Sequence, residues 1–189
     1  TPKAAALHKL AGIFATAAAN SRCSHAVWTT GEGFNRVAND TQSPSGWGEI
    51  AMESPMAFEE AFGLLPPRLR RQGIRVVISD LLWPGDPLPT LRKLTEGAAA
   101  VHVVQLLAEE DVEPPEPGNV ELIDHETGET LSMYIDASTQ QRYRQTLKRL
   151  QQSWHDAAKQ TGAKLVTLLA NNIDGSLHRL EETNTLEPA

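Results

Sequence analysis

Three short apolar runs constrain this chain more than any other feature. Ile74-Arg-Val-Val-Ile78 is β-branched almost throughout, Ala100 to Leu107 is nearly all apolar, and Lys164 to Leu169 repeats the pattern. Runs of this length and composition suit strands buried on both faces of a parallel sheet. Helical patterns separate them. Asp86-Pro87 opens one helix, Leu88, Leu91 and Leu94 line it, and Gly97 stops it. Residues 137–161 make the longest helix. Tyr143, Leu147, Leu150, Trp154 and Ala158 alternate spacings of four and three there, and Gly162 closes it. The alternation predicts an α/β fold in three layers, a mainly parallel open sheet with helices on both faces, of Rossmann-like kind.

The flanking segments add detail. Thr1 caps a first helix, Pro2 takes its first position, and Leu7, Leu10, Ala11, Phe14 and Ala18 form its apolar stripe. His25 to Thr29 and Phe34 to Val37 read as strands around the glycine turn at residues 31–33. Residues 38–54 read as a loop, and Ser54-Pro55 opens a helix carrying Phe58, Ala61, Phe62 and Leu65. Asn119 to Asp124 and Glu129 to Ile135 form a second hairpin through His125 to Gly128, so antiparallel additions flank the sheet. Gly175 to Glu182 makes a final short helix.

At 189 residues the chain suits a single domain, and 40% hydrophobic residues allow a sizeable core without staples. One cysteine excludes a disulfide framework and a thiolate zinc cluster. No apolar run is long enough to span a membrane. The first twenty residues lack the block order of a signal peptide, so a cytoplasmic location is expected. A formal charge of −7 argues against nucleic acid and acidic lipid as partners. The oligomeric state is open.

Ligands of open parallel sheets bind beyond the carboxyl ends of the strands. Asp80 lies at such an end, with Ser79 beside it. A carboxylate and a hydroxyl there suit a hard divalent cation, and Asp80 also suits a cap on the turn that follows. Other signals are bland. The glycine pair at 31 and 33 lacks the third glycine of a dinucleotide loop, and no P-loop or Gly-x-Ser-x-Gly elbow is present. The six histidines form no His-Glu-x-x-His pattern, and His102 reads as a satisfied core residue. Cys23 reads as a small apolar residue before a buried strand. Asp124 and Glu126 read as turn residues, and Arg68, Arg70 and Arg71 as a solvated face. The stripe from Tyr143 to Trp154 packs on the sheet.

Val76-Val-Ile-Ser-Asp80, the leucine-rich helix, Val101 to Leu107, the Asp124-His-Glu-Thr-Gly-Glu129 turn and the helix containing Tyr143 together resemble the domain of unknown function 58. Thr1-Pro2-Lys3 and the alanine-rich helix after it are similar to that family's first helix. The resemblance covers nearly the whole chain. It implies a bacterial or archaeal protein with a von Willebrand factor A-like fold and a metal-ion-dependent adhesion site. In such a site Asp80 matches the aspartate after the fourth strand. Ser54, or less well Thr41, matches the hydroxyl of the second loop. The Asp-x-Ser-x-Ser element has only a late echo in Asp136-Ala-Ser138. The chain is therefore expected to lack its first strand and metal loop, with magnesium or manganese binding weak or absent.

Three functions follow. The first is a non-enzymatic protein-interaction module, with a MoxR-type AAA ATPase as the partner class that the resemblance suggests. The second is a metal-assisted hydrolase at the strand ends, which needs a second carboxylate beside Asp80. Glu109, Glu110 and Asp111 are the candidates. The third is a structural domain with no ligand of its own.

Overall fold

The computed structural model describes residues 2–47, 50, 56–123 and 130–186. Helix α1 (Pro2–Asn20) precedes the strands β1 (Trp28–Gly31) and β2 (Gly33–Arg36). Helix α2 (Phe58–Leu64) leads to β3 (Ile74–Ser79), α3 (Pro87–Thr95), β4 (Ala100–Leu107) and the single turn α4 (Glu109–Val112). Strands β5 (Gly118–Ile123) and β6 (Thr130–Ile135) come next, then α5 (Ala137–Thr161), β7 (Lys164–Leu169), α6 (Ile173–Ser176) and α7 (His178–Glu182).

The three apolar runs form one parallel sheet in the order β3-β4-β7. Ile74 pairs with Ala100, and His102 with Lys164. The β1–β2 and β5–β6 hairpins are separate antiparallel pairs. Period-two alternation gives β4 two working faces. Val104 and Leu106 join Val166, Leu168, Ala6, Leu10 and Leu180 under α1 and α7. Val101 and Val103 join Leu91, Leu94, Trp154, Ala157 and Ala158 under α3 and α5. Each of the valine and leucine side chains contributes roughly 1.5–3 kcal/mol when fully buried. The fold is mixed α/β, with helices on both faces of the parallel sheet.

Among the described residues of the parallel sheet, β4 alone is buried on both faces along nearly its whole length. β3 departs from the expectation. Its residues are half-buried and Ile74 is exposed. The reason is position: among the described residues β3 pairs with β4 alone, so it is an edge of the sheet. Cys23 also departs from expectation. It is exposed in the turn after α1, because the strand that follows begins only at Trp28 and is itself half-buried.

Local chemistry sets the boundaries. Asp86 accepts the Leu88 N–H and caps α3, and Pro87 follows it. Gly162 adopts φ 73° and ends α5. Gly33 turns the first hairpin at φ 92°, and a Cβ there would lie 2.6 Å from Leu65 Cβ. Glycine is therefore required twice, for the turn and for the approach of the α2 end. Thr1, Ser54-Pro55 and the Asp124–Glu129 turn lie outside the described residues.

Aromatic rings tie the first hairpin to the core. Phe34 meets Phe58 at 5.1 Å, Phe58 stacks on Trp83 at 6.0 Å, and Trp83 meets Trp154 edge-on at 5.3 Å. The chain of contacts runs from β2 through α2 to α5. No helix among the described residues is long and apolar enough to cross a membrane.

Candidate functional site

The carboxyl ends of β3 and β4 gather the charged candidates. β3 stops at Ser79, and the backbone reverses at Leu81, which has φ 58°. That conformation costs a non-glycine residue about 1–3 kcal/mol. Complete burial of the Leu81 side chain offsets the cost. The Ser79 hydroxyl accepts the Leu81 N–H at 3.2 Å, and Asp80 Oδ1 accepts the Leu82 N–H at 3.3 Å. Asp80 thus does cap its own turn.

Its other oxygen meets a lysine. Lys3, in the first turn of α1, places Nζ 3.1 Å from Asp80 Oδ2 and 3.0 Å from Asp111 Oδ2. Asp111 Oδ2 also accepts the Ala108 N–H, which fixes α4 against the end of β4. The triad is partly open: the side chains of Lys3, Asp80 and Asp111 are 32%, 35% and 18% exposed. Burial alone pulls the Lys3 ammonium down. Hydrogen bonding and charge from Asp111 and Asp80 outweigh it and hold its pKa above the ordinary lysine value. Tyr143 donates its hydroxyl to the Asp111 carbonyl at 2.8 Å. Burial, then the Asp111 charge, pushes that phenol up, so it stays neutral near pH 7. Tyr143 therefore serves the strand-end cluster and is partly exposed, whereas Leu147 and Trp154 of the same stripe are buried.

Behind the triad a buried amide links the sheet. Gln105 is 1% exposed in the middle of an apolar strand. Its Nε2 donates to the Asp80 carbonyl at 3.0 Å, and its Oε1 accepts the Thr167 hydroxyl at 2.9 Å. One side chain so connects the ends of all three parallel strands.

The sequence candidates fare differently. Asp80 stands at the strand end as expected. Ser54 lies outside the described residues. Thr41 is exposed after the first hairpin, and no hydrogen bond joins it to Asp80 among the described residues. Of the three acidic residues after β4, Asp111 reaches Asp80 through Lys3, while Glu109 and Glu110 are exposed. Asp136 caps α5 by accepting from Thr139 N–H and the Ser138 hydroxyl, and these bonds lower its pKa to about 2. His102 is buried on β4 beside Thr185, 3.1 Å from its hydroxyl.

Among the described residues the donor set at the strand ends does not fit a divalent ion. Such an ion needs six or more oxygens, and the space between Asp80 and Asp111 holds an ammonium with its own charge. Among the described residues no group of three or more His, Cys, Asp or Glu side chains is placed to hold a metal.

The model of a family described as "Protein of unknown function DUF58" matches residues 48–153, more than half of the chain. The chain belongs to the DUF58 family. The matched region includes Asp80, Gln105, Asp111 and Tyr143, while Lys3 and Thr167 lie outside it. No curated protein and no solved structure matches the chain.

Proposed function

We propose that this DUF58 chain is a non-enzymatic protein-interaction module with a von Willebrand factor A-like arrangement. It meets its partner beyond the carboxyl ends of β3 and β4. The observation that supports this reading is the Asp80–Lys3–Asp111 triad. Three charges from three elements converge at the strand ends, and about a third of Lys3 and of Asp80 stays open to solvent. Charged groups held in this way orient a partner and set its register. The partner class is a MoxR-type AAA ATPase, on the family resemblance. A magnesium or manganese ion would enter only by displacing Lys3, and the contact needs none.

The test is binding of the purified chain to a MoxR-type ATPase from the same genome, by biolayer interferometry. Lys3→Glu and Asp80→Ala should each weaken binding at least tenfold, with or without magnesium. Unchanged affinity in both variants, or no binding by the unmodified chain, overturns the reading.

A further inference from the structure

The longest helix has a charge opposite to that of the chain. α5 carries Arg142, Arg144, Lys148, Arg149 and Lys159 against a single acidic residue, Asp156. The chain as a whole stands at −7. Arg144, Lys148, Gln151, Gln152, His155 and Lys159 recur at spacings of three and four, so they share one stripe. Among the described residues no carboxylate forms an ion pair with Arg144, Lys148, Arg149 or Lys159. Asp156 is engaged by the Gln152 amide at 2.9 Å.

Beside this stripe lies a cleft of about 280 Å³. Lys148, Gln151, Gln152 and His155 form its helical wall, and Gln105, Leu165 and Thr167 form its floor. The floor is polar where an apolar residue would pack at lower cost. Gln105 is fixed there by Asp80 and Thr167. The Gln151 Nε2 donates to Gln105 Oε1 at 3.5 Å, a long bond that takes one of the two N–H groups of its amide. The walls therefore offer an ammonium, an amide and an imidazole, and among the described residues no carboxylate lines the cleft.

We infer that this cleft and its basic stripe dock an acidic peptide segment of a protein partner, one carboxylate side chain entering between Lys148, Gln151 and His155. Charge complementarity selects the occupant. The stripe from Arg144 to Lys159 runs about 22 Å along the helix, the length of roughly seven extended residues. No Phe, Tyr or Trp side chain among the described residues lines the cleft, so it offers a nucleobase little to stack on and suits a peptide carboxylate better than a nucleic acid. The site draws on α5, β4 and β7 and does not depend on the role proposed for Lys3.

The probe is fluorescein-labelled hexaglutamate, titrated with the whole chain and followed by anisotropy at low salt. The unmodified chain should bind it saturably. Lys148→Glu should weaken binding at least tenfold and Gln151→Ala at least threefold. Arg71→Glu and Gln160→Ala, both exposed and off the stripe, should leave it unchanged. Circular dichroism checks that each variant folds, and Lys148→Gln gives a milder test of the same contact. The inference is overturned by absent saturation, by an equal loss in Arg71→Glu, or by tighter binding of an oligouridine of the same charge.

Discussion

Lys3 Nζ stands 3.1 Å from Asp80 Oδ2, a contact that spans 77 positions of sequence and ties the start of α1 to the end of β3. The same ammonium holds Asp111, so its removal leaves two carboxylates without a counter-charge. Lys3→Ala should cost about 1–2 kcal/mol, between the values for exposed and buried pairs because solvent screens a third of the site. Asp80→Asn in the Lys3→Ala background should recover part of that loss. Urea unfolding of the four chains in this cycle measures the coupling. Strict additivity would mean that the pair contributes nothing.

The same lysine sets an alkaline limit. Its folded pKa lies above the ordinary value of 10.5. A raised pKa means stability that is fully present below 10.5 and is lost as pH rises through the folded value. Thermal melts should therefore fall more steeply above that pH in the native chain than in Lys3→Met. Parallel curves for the two proteins would contradict the assignment.

His102 sets an acid limb. Burial first, then the Lys164 charge, pushes its pKa below the usual 6.5. Below pH 6.5 the unfolded chain takes up the proton more readily than the folded one, so stability falls as pH drops. His102→Gln should flatten the decline between pH 6.5 and 5. A decline of unchanged slope would remove His102 from the explanation.

Gln105 can be tested through its neighbours. Gln105→Leu strands the Thr167 hydroxyl and the Asp80 carbonyl, and about 1–3 kcal/mol of stability should be lost. Adding Thr167→Val should restore part of it, because one stranded group is then removed. Chemical unfolding decides. A double variant no more stable than Gln105→Leu alone would show that the hydroxyl contact is not what the single change breaks.

Asp136 gives a fifth measurement. Its pKa of about 2 means that the cap on α5 is complete above the ordinary aspartate value and fails as pH falls towards 2. Asp136→Asn retains an accepting oxygen but not the charge, so it should remove this acid dependence and lower the melt at pH 7 towards that of the acid form. Helicity followed by circular dichroism through that range is the readout.

The parallel sheet was legible because its strands are dense in β-branched residues and its helices carry caps. Asp86, Pro87 and Gly162 act in the structure as their residue types suggest. Asp80 was legible because position at a strand end follows from the order of elements alone. Lys3 was not legible, since its partners lie 77 and 108 residues away and no local pattern marks a lysine in a first turn. Gln105 did leave a signal. A glutamine between Val104 and Leu106, level with Thr167 in the neighbouring strand, interrupts two apolar runs at one height. The exposure of β3 could not be read from composition, because an edge strand and a central one draw on the same residues.

The ring contacts from Phe34 to Trp154 have a spectroscopic consequence. Two indoles 5.3 Å apart and nearly perpendicular couple their transitions, so Trp83 and Trp154 should give a distinct near-ultraviolet dichroic signal. Trp83 also touches Phe58, which touches Phe34 on the first hairpin. Loosening of that hairpin or of α2 thus changes the optical signature of a core tryptophan pair, and the protein reports on its own assembly without a label.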